Sequence, residues 1–92
     1  TSDARFKENI QPIENALEKV NAVSGYTFNF IGQEERSAGV IAQEIEKVLP
    51  EVVHGDEDKK TVAYGNVVAL LIEAVKELSE EVNALKSELG KK

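Results

Sequence analysis

The sequence predicts an α+β fold, with short strands and helices followed by one long C-terminal helix. Three observations carry that prediction. Val67 to Leu89 contains neither Gly nor Pro and consists mostly of strong helix formers. Tyr26, Phe28 and Phe30 alternate with Thr27 and Asn29, the period of a half-buried strand. Ile10, Ile13, Leu17 and Val20 fall three and four apart, the spacing of one helix face.

In chain order, Asn9 to Val23 is the first helix, with Pro12 in its first turn and Gly25 closing it. The Tyr26–Phe30 strand follows. It holds two of the chain's three Phe and one of its two Tyr, so it is expected to anchor the core. Gly32 to Gly39 reads as a polar loop with charges of both signs, and Val40-Ile41 as a short apolar segment. Ala42 to Leu49 is a two-turn helix with Ile45, Val48 and Leu49 on one side, ended by Pro50. Val52-Val53 is a short extended piece, His54 to Lys60 a charged turn, and Thr61 to Tyr64 a last strand. Gly65 and Asn66 lead into the long helix, with Asn66 as its N-cap. No repeat, low-complexity tract or long linker divides the chain, so residues 1–92 form one domain.

The long helix carries a heptad seam. Val68, Leu71, Val75, Leu78, Val82, Leu85 and Leu89 alternate three and four apart, with Val and Leu at a and Leu at d. Glu81 falls at g and Lys86 at the following e, where an interchain ion pair fits. Gly90 with Lys91 and Lys92 suits a C-terminal stop. A helix over Val67–Leu89 rises roughly 34 Å, whereas a globule of this size has a radius of gyration of only about 12 Å. The helix outruns the body it would cover, so part of it must find copies of itself. Val at a with Leu at d favours dimers in isolated parallel zippers, but Ile72 at e, Ala74 at g and Leu70 at c are also apolar. The seam alone leaves two strands and three both open.

Composition supports self-association. A chain of 92 residues buries only roughly 60–65% of its unfolded surface, and the usual staples are missing. There is no Cys for disulfides or thiolate metal sites, and the single His54 excludes a histidine-pair site within one chain. The net charge of −6, from 17 acids against 11 bases, argues against binding a phosphate backbone. No stretch approaches the ~20 apolar residues of a membrane span, and no signal-peptide pattern opens the chain. The opening Thr1, with no Met before it, suggests a chain cut from something longer.

Little in the chain points to chemistry by spacing. The His54-Gly-Asp56-Glu57-Asp58 run lacks the alternating ligands and closing Glu of a calcium loop, so it is a solvated acidic turn. Neither a phosphate-cradling Gly-rich loop nor a Gly-x-Ser-x-Gly elbow occurs. Ser2 and Lys7 have the residue types of a Ser-Lys dyad, in which a neutral Lys takes the hydroxyl proton and the alkoxide attacks a carbonyl. Their spacing puts them about 140° apart on a helix and on opposite faces of a strand, and so carries nothing by itself.

The residues around them carry more. Ser2-Asp3-Ala4-Arg5-Phe6-Lys7-Glu8-Asn9-Ile10 resembles the Ser-Asp-x-Arg-x-Lys-x-x-Ile start of the S74 peptidase domain. That domain is the C-terminal intramolecular chaperone of bacteriophage endosialidase tailspikes and tail fibres, also found in myelin regulatory factors. The resemblance continues through Pro12-Ile13, Ala16-Leu17 and Gly25-Tyr26-Thr27-Phe28. Its most specific block is Gly39-Val40-Ile41-Ala42-Gln43-Glu44 with Leu49-Pro50-Glu51-Val52-Val53. Val62-x-Tyr64 and the run Leu70 to Leu78 complete it.

The resemblance implies a homotrimer with a parallel trimeric coiled coil, holding three copies of an upstream fibre or tailspike in register while they fold. It implies a single-turnover serine endopeptidase that cuts the bond before Ser2, with Lys7 as general base and Gln43 and Glu44 supporting the site. Thr1 then stands either before the scissile bond or as a cloning remnant. The implied partners are the chain's own copies and the upstream segment of its own precursor, without nucleic acid, membrane, metal or cofactor. The implied location is the host cytoplasm during virion assembly: the domain belongs to the virion tail before cleavage and leaves the mature fibre after it. The competing expectation is an assembly module without cleavage.

Overall fold

A single turn of 3-10 helix, Ala4–Phe6, opens the computed structural model, which describes residues 2–91. Thr1, expected either before the scissile bond or as a cloning remnant, and Lys92, of the C-terminal basic pair, lie outside the described residues. The first α-helix, α1, spans only Ala16–Asn21, not Asn9–Val23 as the apolar spacing predicts. The cause is local. Asn9 and Asn15 adopt left-handed φ of 55° and 53°, a conformation that Asn tolerates as a single residue and that breaks a right-handed helix. Ile10, placed on the helix face by its spacing, is therefore exposed.

Strands β1 (Tyr26–Asn29) and β2 (Arg36–Gly39) form an antiparallel hairpin with Tyr26 opposite Gly39 and Asn29 opposite Arg36. Strand β2 lies where the sequence predicts a polar loop, because Arg-Ser-Ala-Gly has no apolar alternation. Polar cross-strand bonds hold it instead: the Arg36 guanidinium donates to Asn29 Oδ1 at 2.7 Å and to Thr27 Oγ1 at 2.6 Å. Helix α2 (Ala42–Val48) follows, then a 3-10 turn at Pro50–Val52. A second hairpin pairs β3 (Val53–Gly55) with β4 (Lys60–Val62), so both ends of the expected charged turn are strand. Within that turn Asp56 Oδ1 accepts the N–H groups of Asp58 and Lys59, both at 3.0 Å.

Helix α3 spans Tyr64–Gly90. It starts before Asn66, so its N-cap is Ala63 and not Asn66, and Gly90 is its last helical residue, not its stop. Its 27 residues rise about 40 Å. The buried core is Ala16, Ile45, Leu49, Val52, Leu70 and Ala74, where α1, α2 and the first turns of α3 converge. Small side chains at Ala16 and Ala74 let α1 and α3 approach closely. The expectation that the aromatic strand anchors the core is corrected: Phe28 is half-buried, and Tyr26 and Phe30 are exposed. On the two-stranded β1–β2 sheet Phe28 and Phe30 meet edge to face, with centroids 5.1 Å apart.

Candidate functional site

Ser2 and Lys7 flank the N-terminal 3-10 turn. Asp3 caps it, with Oδ1 accepting the Arg5 N–H at 2.9 Å, and the Arg5 guanidinium donates back to Asp3 Oδ2 at 2.7 Å. The Phe6 N–H then bonds Asp3 O and the Lys7 N–H bonds Ala4 O, each at 3.1 Å. Arg5 holds the Asp3 carboxyl below its ordinary range, first by the side-chain bond and then by its backbone N–H. Asp3 in turn raises Arg5. The two residues of the expected dyad are thus separated by one tight, charge-locked turn, neither an α-helix nor a strand. Both are exposed, and among the described residues no hydrogen bond joins Ser2 to Lys7.

Gln43 and Glu44 sit in the first turn of α2, away from that turn. Glu44 Oε2 accepts the Tyr26 hydroxyl at 2.7 Å, tying α2 to β1 and pushing the Tyr26 phenol above its usual pKa. Next to it, Gly39 leaves room for another ring. A Cβ at Gly39 would overlap the Tyr64 hydroxyl, which also accepts the Val40 N–H at 3.2 Å. The Gly39–Glu44 block therefore forms a corner joining β2, α2 and the start of α3. The shallow cleft at Lys7 is lined by Arg5, Phe6, Lys7 and Glu8, without a residue of α2. The structure does not bring Gln43 or Glu44 to Ser2 or Lys7 within one chain.

Helix α3 has two apolar faces. Val67, Leu70, Ala74 and Glu77 turn toward the body, with Leu70 and Ala74 buried. The seam from Val68 to Leu89, one residue on and hence about 100° around the helix, is 42–67% exposed at every position. Glu77 ends the inner face. Its carboxylate accepts the N–H groups of Ala16 at 2.8 Å and Leu17 at 3.0 Å, capping α1 in place of Asn15, whose side chain makes no cap bond. Those backbone donors, Leu17 first, hold the Glu77 carboxyl below its ordinary range. Sequence reading missed this cap, because its partners lie 60 and 61 residues apart. It also missed Lys60, whose side chain is largely buried and whose ammonium pairs with Glu46 at 2.9 Å.

Residues 2–54 match the profile of the S74 peptidase family, described as the chaperone of endosialidase. The chain belongs to that family. The matched S74 segment contains Ser2, Lys7, Gln43 and Glu44 and ends before α3. The long tail fiber protein Gp37 of Enterobacteria phage K3 is 46% identical over 98 residues, a stretch that covers 96% of this chain. Gp37 of Enterobacteria phage T2 is also 46% identical over 98 residues, and Gp37 of Enterobacteria phage M1 is 41% identical over 99. The S74 chain spans 8% of the K3 protein, 7% of the T2 protein and 39% of the M1 protein. Among the described residues, no helix is long and apolar enough to cross a membrane.

Proposed function

We propose that residues 1–92 form a fibre-assembly chaperone that trimerises through the 67–89 coiled-coil segment and registers the upstream part of its own precursor. It then releases itself by cutting the bond before Ser2. The observation that carries this reading is the two-faced α3, which spends one stripe on its own body and leaves an unbroken heptad seam exposed. Registering three long chains is a slow, high-contact-order problem exposed to misassembly. A trimer at one end converts it into an intramolecular one. Release leaves a fibre that is kinetically stable, because an unfolded fibre no longer reaches its clamp. The Gp37 names of the relatives support a fibre as the passenger. In this reading assembly takes place in the host cytoplasm, and the domain leaves the mature fibre after the cut.

In the cleavage step, neutral Lys7 takes the proton of the Ser2 hydroxyl, and Ser2 Oγ attacks the carbonyl carbon of the residue ahead. The C–N bond breaks as Lys7 returns the proton to the Ser2 nitrogen, and water hydrolyses the resulting ester. A neutral Lys requires desolvation, and Lys7 is exposed in the single chain. Assembly must therefore supply the burial. The second reading, an assembly module without cleavage, draws on the same exposure of Ser2 and Lys7.

The test is the intact mass of the chain fused behind a trimeric fibre segment, beside Ser2→Ala and Lys7→Ala. The expected result is a C-terminal fragment beginning at Ser2 from the parent only. Three uncut trimeric fusions would establish the module without cleavage. Complete cutting in a Val75→Asp/Leu78→Asp chain that stays monomeric would overturn the coupling of cleavage to assembly.

A further inference from the structure

Among the described residues fifteen large hydrophobic side chains are exposed, against six residues in the core. The seam and Ile72 account for those on the outer part of α3. Most of the others fall into two groups. Tyr26 and Tyr64 border one each of two adjoining grooves, of about 330 and 430 Å³, that share Phe28, Phe30, Val40 and Ile41. Phe6 and Ile10, 73% and 71% exposed, stand four residues apart on an N-terminal arm whose residues 4–12 are all exposed. Exposed apolar surface on this scale marks an interaction site.

The arm does not lie in its own groove: none of residues 4–12 lines either one. The groove opens at the N-terminal end of α2, beside Ile41 and Gln43. The arm joins the body at the other end, where Pro12 and Ile13 line a cleft with Val48 and Leu49. Tyr64 links the groove to the seam. It precedes Leu71 by seven residues and so takes the d position one heptad earlier, one helical turn before Val68. A copy packed on the seam at Val68 is thereby brought alongside the groove.

We propose that the arm of one copy docks on a second copy, with Phe6 and Ile10 packed into the groove of Phe28, Phe30 and Ile41. The inference rests on assembly through α3 and names what that assembly adds: the Ser2–Lys7 turn is seated on a neighbouring subunit. Burying Phe6 there also draws its neighbour Lys7 out of bulk water, the desolvation that the dyad lacks in a single chain.

The chain contains no cysteine, so introduced pairs report without background. Chains carrying Phe6→Cys and chains of different mass carrying Ile41→Cys are unfolded, refolded together and oxidised, with Ile10→Cys and Phe30→Cys as a second pair. Sedimentation on the same samples gives the oligomeric state. A disulfide requires Cα atoms within about 7 Å, so the expected product is a covalent species joining the two different chains, at least ~10-fold over either chain joined to itself. Trimers without that product would overturn the inference, as would a bridge formed only within one doubly substituted Phe6→Cys/Ile41→Cys chain. Monomers in sedimentation would overturn it by a different route, since they remove the assembly reading beneath it.

Discussion

At Gly39 the absence of a side chain has a direct reason: a Cβ there meets the Tyr64 hydroxyl. Gly39→Ala is expected to destabilise the fold by about 1–3 kcal/mol, the usual effect of overpacking, measured by urea unfolding. Adding Tyr64→Phe removes the clashing oxygen, so the double variant should lose less than the sum of the two single changes. An additive result would dissociate the two residues. Glu77 sets a second expectation. Its folded pKa lies below the ordinary Glu value, so its contribution is complete above about pH 4.3 and is lost as the pH falls through the folded value. The urea midpoint should drop on acidification below that pH, and it should drop less in Glu77→Gln. Neither residue announces its role in the sequence. Gly39 is one of several glycines, and the donors that Glu77 caps are backbone groups with no side-chain signature.

Within elements, adjacent residues of α3 do opposite work. Leu70 is buried in the core, where α3 packs on α1, and Leu71 is on the open seam. Leu70→Ala should cost about 2–5 kcal/mol at any protein concentration. Leu71→Asp removes no core contact and should shift association instead, so sedimentation beside the urea midpoint separates the two. Long periodic elements are the ones legible from sequence. Helix α3 and its seam follow from the heptad, and α2 from its Ile45–Leu49 face and Pro50. The elements that escape are short and held by remote or polar partners. Helix α1 is cut to Ala16–Asn21 by two left-handed Asn residues, and β2 is paired through Arg36 with almost no apolar content.

The whole molecule is extended, with a Cα radius of gyration of 17.2 Å and dimensions of 58 × 39 × 20 Å. A compact chain of this length is nearer 12–13 Å, and α3 accounts for the difference. If folding is completed by association, stability depends on protomer concentration. The thermal midpoint should then fall by roughly 4–7 °C per tenfold dilution, the shift expected when a three-chain assembly loses mass action. A midpoint independent of concentration would identify a self-sufficient monomer. The architecture as short elements plus a long helix is legible in the sequence. The location of the core is not, because aromatic residues normally mark burial and here they face outward.

The cap on α1 also sets a timetable. The donors at Ala16 and Leu17 find their acceptor 61 and 60 residues later in the chain. A ribosome adding about 5–20 residues per second needs roughly 3–12 s to cover that interval. For all of it the first helix has been made without the group that closes its end. The start of the domain cannot settle until its last helix has been synthesised, so whatever precedes Ser2 is already made when the body takes shape.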